Sequence, residues 1–209
     1  YMSNFTKILE AAKKMKETSS GGSSDQEKFW KCETDKAGNG SAIIRFLSGK
    51  TSEDLPFTKL YTHGFKGPTG KWFIENCPTT IGEDCPVCGA NSVLWNSGHE
   101  KDKEIVRDRK RKLGFIANIL VISDPANPDN EGKVFLFKFG KKIFDKVTDA
   151  MEPDNGGLKE DDEDFIKPIN PFSSGEDGAN FKLRIRRVEG FANYDKSEFT
   201  KPKEMEADW

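Results

Sequence analysis

One histidine and three cysteines lie in a short segment with spacing that suits metal binding. His63 is followed after thirteen residues by Cys77, after seven more by Cys85 and after two more by Cys88. The C-x-x-C spacing of the last pair lets two thiolates reach one ion from a single tight turn. Three cysteines and one histidine complete the tetrahedral coordination that Zn²⁺ prefers in structural sites. The segment therefore predicts one structural zinc ion held by these four side chains.

Other uses of these cysteines are less well supported by the sequence. They could be buried apolar side chains or a redox pair. A redox C-x-x-C normally follows a strand in a β-α-β unit, and we find no such pattern here. A zinc hydrolase would keep one coordination position open for water, whereas four protein ligands are available. The sequence also contains no Walker loop, no HExxH motif and no Ser/His/Asp arrangement. We therefore expect a protein that is not an enzyme, in a reducing intracellular setting.

Charge is unevenly distributed along the chain, although the formal net charge is only −2. Residues 101–147 contain 12 Lys and Arg against 7 Asp and Glu, whereas residues 149–177 contain 10 Asp and Glu against 2 Lys. Residues 181–187 carry four basic residues and no acidic one. Basic stretches interleaved with aromatic residues favour a polyanionic partner, most simply a nucleic acid. A solvated surface of mixed charge would give a similar pattern.

Two of the basic stretches contain aromatic residues at suitable positions. Arg109–Lys112 is directly followed by an apolar stretch with Phe115, and Phe135, Phe137 and Phe139 share one face of a predicted strand. A groove for single-stranded nucleic acid needs cations along the backbone and rings on which bases stack. The same phenylalanines could instead form the core of a barrel, so the alternation leaves both interpretations open.

The periodicity of apolar residues predicts a mainly β protein with a few short helices. Strands are predicted over 41–47, 57–62, 71–75, 113–122, 134–139 and 181–188, and helices over 3–17, 86–96 and about 141–150. Five or more strands with basic, aromatic-bearing faces favour an OB-fold, a partly open five-stranded barrel. No apolar run approaches the length of a membrane span.

Composition divides the chain into four parts. We expect a Lys-rich arm over 1–20, a Gly/Ser-rich linker over 21–28, and an OB-fold core over 29–200. An integral zinc subdomain is expected at about 57–100 of this core. Residues 201–209 are expected to be the start of a C-terminal region.

Several motifs together resemble the single-stranded DNA-binding (helix-destabilising) proteins of T-even-type bacteriophages. The resemblance covers about residues 29–200 and includes the order of the histidine and three cysteines. The other matching motifs are AGNG at 37–40, IRFL at 44–47, HGF at 63–65, KRK at 110–112, FIANILV at 115–121, DP at 124–125, NEGKVF at 130–135, FGKKI at 139–143, GF at 190–191 and NYD at 193–195.

The resemblance implies specific contacts with DNA. It implies that His63, Cys77, Cys85 and Cys88 bind zinc. It implies that phosphates are bound by Arg45, Lys110, Arg111, Lys112, Lys138 and Lys141. The groove aromatics implied in the same way are Phe115, Phe137, Phe191 and Tyr194, with Trp95 as a weaker match. Groove tyrosines of the family are replaced by Ile105, Phe115 and Ile116.

The resemblance also implies a function and partners. Members of the family have an OB-fold with a zinc subdomain and coat single-stranded DNA cooperatively during replication, recombination and repair. We therefore expect binding that is indifferent to sequence, neighbouring protomers and phage replication proteins as partners, and a location in the cytoplasm of an infected bacterium. The family carries a long acidic C-terminal tail that binds replication proteins. We expect that the residues up to Trp209 do not include this tail. The alternative is a zinc-stabilised protein-interaction module with a basic face.

Overall fold

The computed structural model describes residues 28–51 and 54–205. The predicted helix over 3–17, the arm and most of the linker lie outside these ranges. The strands are β1 Phe29–Trp30, β2 Gly40–Phe46, β3 Phe57–Lys66, β4 Trp72–Asn76, β5 Lys112–Ser123, β6 Val134–Gly140, β7 Phe181–Val188, β8 Phe191–Asn193 and β9 Glu198–Phe199. The helices are α1 Pro86–Asn96, α2 Glu100–Arg109 and α3 Lys141–Met151.

Strand β5 is the centre of the sheet. Its residues 114–120 pair with β6 along one edge, and its other edge pairs first with β3 over 112–117 and then with β2 over 119–123. The sheet continues from β2 to β7 and β8, and β4 pairs with β3 as the outer strand of a hairpin. Within the described residues the fold is thus mainly β with three helices, as the sequence predicts at this coarse level.

Aromatic side chains fill the core between these strands. The ring of Phe46 packs against Phe139 and Phe172 with centroid distances of 5.5 and 5.6 Å, in edge-to-face geometry. Such contacts add to the free energy gained by removing the rings from water. Helix α3 closes one side of the core because its apolar stripe buries Ile143 and Val147.

A buried arginine of β2 forms hydrogen bonds with the chain segments around Ser173 and Lys203. Arg45 is 0% exposed, and its guanidinium donates hydrogen bonds to the carbonyl oxygens of Ser173 at 2.5 Å and Lys203 at 3.1 Å. A buried charge needs such acceptors, because burial without them is strongly unfavourable. The backbone of Gly178 lies so close to the guanidinium that a Cβ atom would overlap Arg45. Arg45 therefore connects residues 173–178 with the segment around Lys203.

Most predicted elements are present with shifts of a few residues at their ends. The strand predicted over 57–62 extends to Lys66, so His63 lies within β3 and not at its end. Helix α2 has no counterpart among the predicted elements. Within the described residues, no helix has the length and apolar content that crossing a membrane requires.

Candidate metal centre and basic surfaces

The four predicted metal ligands converge on one point. Their ligand atoms all lie within 4.8 Å of one another. Cys77 Sγ is 3.6 Å from Cys88 Sγ, and His63 Nε2 is 3.4 Å from Cys85 Sγ and 3.6 Å from Cys88 Sγ. Tetrahedral zinc with bonds of about 2.3 Å to sulfur separates its ligand atoms by about 3.8 Å. The donor set and its spacing therefore fit one tetrahedral ion.

The hairpin of β3 and β4 and the start of α1 position these ligands. His63 projects from β3, and Cys77 follows β4 directly, with its amide bonded to the carbonyl of Tyr61 at 2.8 Å. Cys85 immediately precedes α1, and Cys88 lies in the first turn of that helix. Pro86 starts the helix at the position where a missing N–H is tolerated, so the C-x-x-C segment turns sharply into α1.

The other ring nitrogen of His63 is fixed by the backbone. Nδ1 lies 2.9 Å from the carbonyl oxygen of Arg109, and since that oxygen only accepts, Nδ1 carries the proton. Nε2 takes no part in this hydrogen bond and points toward the cysteine sulfurs. This is the arrangement that orients a histidine ligand for a metal.

The thiols influence each other because they share one site. Burial opposes ionisation of Cys77, but hydrogen bonds from Thr79 outweigh it and lower the pKa of Cys77 to about 6. Burial and the neighbouring Cys77 and Cys85 raise the pKa of Cys88 to about 12. Three thiolates can coexist here only with compensating positive charge, and a divalent cation provides it.

The predicted basic cluster Lys110–Lys112 begins directly after α2 and is exposed. Arg111 places its guanidinium 4.2 Å from the centre of the Tyr61 ring and donates a hydrogen bond to the Thr79 hydroxyl. That hydroxyl is 3.1 Å from Cys77 Sγ. Arg111 is therefore connected to the metal centre through the Thr79 hydroxyl. The cation–π contact with Tyr61 also holds its guanidinium in place.

Lys112 lies on a different surface, which we call the basic cleft. This cleft has a volume of about 520 Å³ between the β3–β4 hairpin and α2. Its lining includes Trp72 and Ile105, one acidic residue, Asp108, and three basic residues, Lys66, Arg109 and Lys112. Trp72 is 63% exposed, and the ammonium of Lys66 lies 5.7 Å from its ring centre. An exposed ring beside cations is the combination that binding of single-stranded nucleic acid requires, and Trp72 is not among the aromatic residues that the sequence predicts for it.

Trp95 lies on α1 with its ring exposed. Lys103 and Arg107 of α2 each lie 5.9 Å from the ring centre. Arg107 also forms an ion pair with Glu100 at 2.7 Å. Trp95 thus has the exposure and the cationic neighbours that its predicted role requires.

Three predicted DNA contacts lie inside the protein. Arg45 is buried and bonded to backbone carbonyls as described above. Phe115 stacks on Phe144 with centroids 3.8 Å apart, and Phe137 packs against Trp30 at 5.4 Å; both phenylalanines belong to the buried core. Their burial does not fit direct contact with DNA, because the strand face that carries them points inward. We therefore leave Arg45, Phe115 and Phe137 out of the proposed interface.

The remaining candidates are at least partly accessible. Lys138 and Lys141 are exposed, although Lys141 is paired with Asp145 at 2.7 Å. Phe191 begins β8 and is exposed, whereas Tyr194 is half-buried against the core, and burial raises the pKa of its hydroxyl. Lys138 and Tyr194 line one pocket of about 490 Å³ together with the edge of the core residue Phe137, whereas Lys112 lines the basic cleft.

Sequence reasoning missed Tyr61, Lys66 and Trp72. Tyr61 carries a usable signal, since it lies two residues before the predicted ligand His63 and therefore on the same face of the strand. Trp72 sits in a short strand with Phe73 and Ile74, which reads as an apolar core strand, yet all five residues of β4 are exposed. Whether such a strand is exposed depends on which other elements pack against it, and the local sequence does not determine this.

Comparison with known proteins gives matches over most of the chain. Residues 38–208 match the family described as gp32 DNA binding protein like. The chain is 46% identical over 183 residues to the "Single-stranded DNA-binding protein" of Enterobacteria phage T2 and 45% identical over the same length to that of Enterobacteria phage T4. Each match covers 86% of this chain and 56% of the relative, so the chain spans little more than half the length of these relatives. A protein of the same name from Escherichia phage SV14 is 49% identical over 85 residues, which is 39% of this chain and 74% of that relative.

Proposed function

Because the chain belongs to the gp32 DNA binding protein like family, we propose that it binds single-stranded DNA without regard to sequence. The T2 and T4 relatives are named for this activity. The single observation that carries the proposal is the basic cleft, in which the exposed ring of Trp72 lies among Lys66, Arg109 and Lys112. Cations hold the phosphates, and exposed rings stack on bases of any sequence.

The proposed interface extends from the basic cleft over accessible residues. Trp95, with its two cationic neighbours, adds a second stacking surface on α1. The other proposed contacts are Lys110, Arg111, Lys112, Lys138, Lys141, Phe191 and Tyr194. Each of these retains at least a partly accessible side chain.

We propose zinc as the metal that stabilises this interface. His63, Cys77, Cys85 and Cys88 would hold the ion, and its charge would compensate the thiolates. The bound ion would keep the β3–β4 hairpin against the end of α2, where the basic cluster begins. The four protein ligands support a structural role, in agreement with a protein that binds and does not catalyse.

We propose a partly open OB-fold for residues 29–200, with the zinc subdomain at about 57–100. The long central strand β5 supports this assignment, because one of its edges pairs first with β3 and then with β2. So does the shift in register between Ile43 and Ile44, since such irregularities bend a sheet toward closure.

In the infected bacterial cytoplasm, we propose cooperative coating of DNA during phage replication, recombination and repair. Neighbouring protomers and replication proteins are the proposed partners, with protomer contacts made by the arm over 1–20. The alternative function is a zinc-stabilised protein-interaction module with a basic face. It is favoured by one observation: among the described strands β4 pairs only with β3, and a free edge can accept a strand from another protein.

Titration with oligo(dT) at two salt concentrations tests the proposal. Binding should quench the intrinsic fluorescence and weaken steeply with salt, because phosphate contacts release counterions. Trp72→Phe and Trp95→Phe remove one reporter each and assign the quenching to the cleft or to α1; Trp209 and the buried Trp30 remain in both variants. A zinc-loaded protein that leaves oligo(dT) unbound at low salt would contradict the proposal and leave the protein-interaction module.

A further inference from the structure

Strand β7 presents a row of cations on its outer face. Phe181, Leu183 and Ile185 are buried, whereas Arg184 and Arg186 alternate with them and are exposed. This alternation follows from the period of two along a strand. The apolar face belongs to the core, so the basic face is directed away from it.

The β7–β8 hairpin adds an aromatic ring to the same face. Arg186 pairs with Asn193, and Val188 pairs with Phe191. Directly paired residues share a face of the sheet, and so do residues two positions apart, which places Phe191 on the face of Arg184 and Arg186. Glu189 and Gly190 both have positive φ, 51° and 85°, as the tight two-residue turn of such a hairpin requires. Phe191 is 77% exposed.

A third cation is held beside this row by a buried serine. The hydroxyl of Ser197 accepts a hydrogen bond from the Arg184 amide at 2.9 Å and donates one to the Arg184 carbonyl at 3.1 Å. This fixes the neighbouring Lys196 next to Arg184. Arg184, Arg186 and Lys196 line an open depression of about 1010 Å³ together with Asn39 and Ser41, which can also donate hydrogen bonds.

These cations are available to an external partner. Within residues 28–51 and 54–205, none of the three lies within ion-pair distance of a carboxylate, although Arg186 adds to the hydrogen bond from Asn193 in lowering the pKa of Asp195. Glu33 and Asp35 also line the depression, but the carboxylate of Asp35 is occupied by the backbone amides of Ala37 and Asn39, both at 2.9 Å. The lining of this depression shares no residue with that of the basic cleft.

We propose that the outer face of β7 and β8 is a second nucleic-acid contact surface. Arg184, Arg186 and Lys196 bind backbone phosphates, and Phe191, which is already among the proposed contacts, supplies the ring on which a base stacks. A strand that leaves the basic cleft continues onto this surface, so it serves only DNA long enough to reach both. The inference rests on the proposed function and adds a second part to its site.

Salt titrations of two DNA lengths test this surface on the full chain with its metal. Oligo(dT) of about 4 and about 16 nucleotides, the limits of single OB-fold sites, are used in excess so that each DNA carries one protein. The variant is Arg184→Gln with Arg186→Gln. The matched control is Arg187→Gln, which removes the same charge from the next position, where the side-chain stem packs beside Gly38. Melting temperatures verify that each variant is folded.

The expected result is specific to length. On the long DNA, the double variant should flatten the plot of log K against log[salt] by about 1.4, at about 0.7 per phosphate contact. On the short DNA it should behave as wild type, and Arg187→Gln should change little on either. A wild-type slope of the double variant on the long DNA would overturn the inference, and an equal loss on both lengths would show one continuous site. If the wild-type protein binds neither DNA, the proposed function itself fails.

Discussion

The Nδ1 atom of His63 lies 2.9 Å from the carbonyl oxygen of Arg109, which is the last residue of α2. The metal centre and the basic cluster that follows α2 are therefore joined by one hydrogen bond. A second connection runs from Cys77 through the Thr79 hydroxyl to Arg111. Loss of the metal should consequently disturb the position of the cations as well as the hairpin.

Removal of the metal should lower stability and DNA affinity together. Metal binding is coupled to folding, because the four ligands come together only in the folded chain. We expect Cys77→Ser, or chelation of the wild-type protein, to lower the melting temperature and to weaken oligo(dT) binding in the same samples. Metal content is measured alongside, and unchanged melting after verified metal loss would contradict a structural role.

Lys112 should contribute a phosphate contact and little stability. It is exposed in the basic cleft, so Lys112→Ala should change the free energy of unfolding by less than about 0.5 kcal/mol. The plot of log K against log[salt] should flatten by about 0.7 on both poly(dT) and mixed sequence. Lys133→Ala, an exposed lysine before β6, is the control. A loss confined to one sequence would indicate base recognition instead.

Arg45 should matter for stability and not for DNA contact. Replacement by alanine removes the charged donor that binds the carbonyl oxygens of Ser173 and Lys203, and a hydrogen bond from a charged donor contributes about 1.5–3 kcal/mol. We expect Arg45→Ala to lower the free energy of unfolding by about 2–5 kcal/mol, while the folded fraction keeps its affinity for oligo(dT). Urea unfolding and titration of the same preparation separate the two. Normal stability with weak binding would restore Arg45 to the interface.

The sequence predicts the metal ligands and most strands because both leave local patterns. The four ligands occur within 26 residues, β5 is a long apolar run, and apolar residues alternate along β7. Helix α2 leaves no such pattern: its sequence EKDKEIVRDR has two apolar residues, and it is supported instead by the ion pairs of Glu100 with Lys103 and Arg107. Its acidic first turn and basic last turn also suit the helix dipole.

The direction in which an alternating strand faces is not a local property. Phe137 lies in β6 among lysines, which suggested a groove, but its face is set by pairing with β5 across the sheet. A shift of one residue in that register would exchange the two faces. The exposure of Trp72 is equally non-local, because it results from the outer position of β4.

Phe137 and Trp72 therefore provide the most discriminating pair of substitutions. Phe137 is buried against Trp30 and Phe139, so Phe137→Ala should leave a cavity and lower the free energy of unfolding by about 3–5 kcal/mol. Affinity of its folded fraction should remain near wild type. Phe115→Ala is the matched control, since Phe115 is stacked on Phe144 in the same core.

Trp72 should show the opposite behaviour. Its ring is mostly exposed, so Trp72→Ala removes little buried surface and should leave the melting temperature nearly unchanged. Loss of a stacked base should cost about 1–3 kcal/mol of oligo(dT) affinity. Trp72→Phe should retain much of this affinity because it keeps a ring, whereas Trp72→Leu should not. Thermal unfolding and titration by anisotropy of labelled DNA are measured on each variant, since tryptophan fluorescence changes with the substitution itself. If Trp72→Ala binds as tightly as wild type while Phe137→Ala binds weakly without loss of stability, the stacking surface includes Phe137 and the basic cleft supplies only charge.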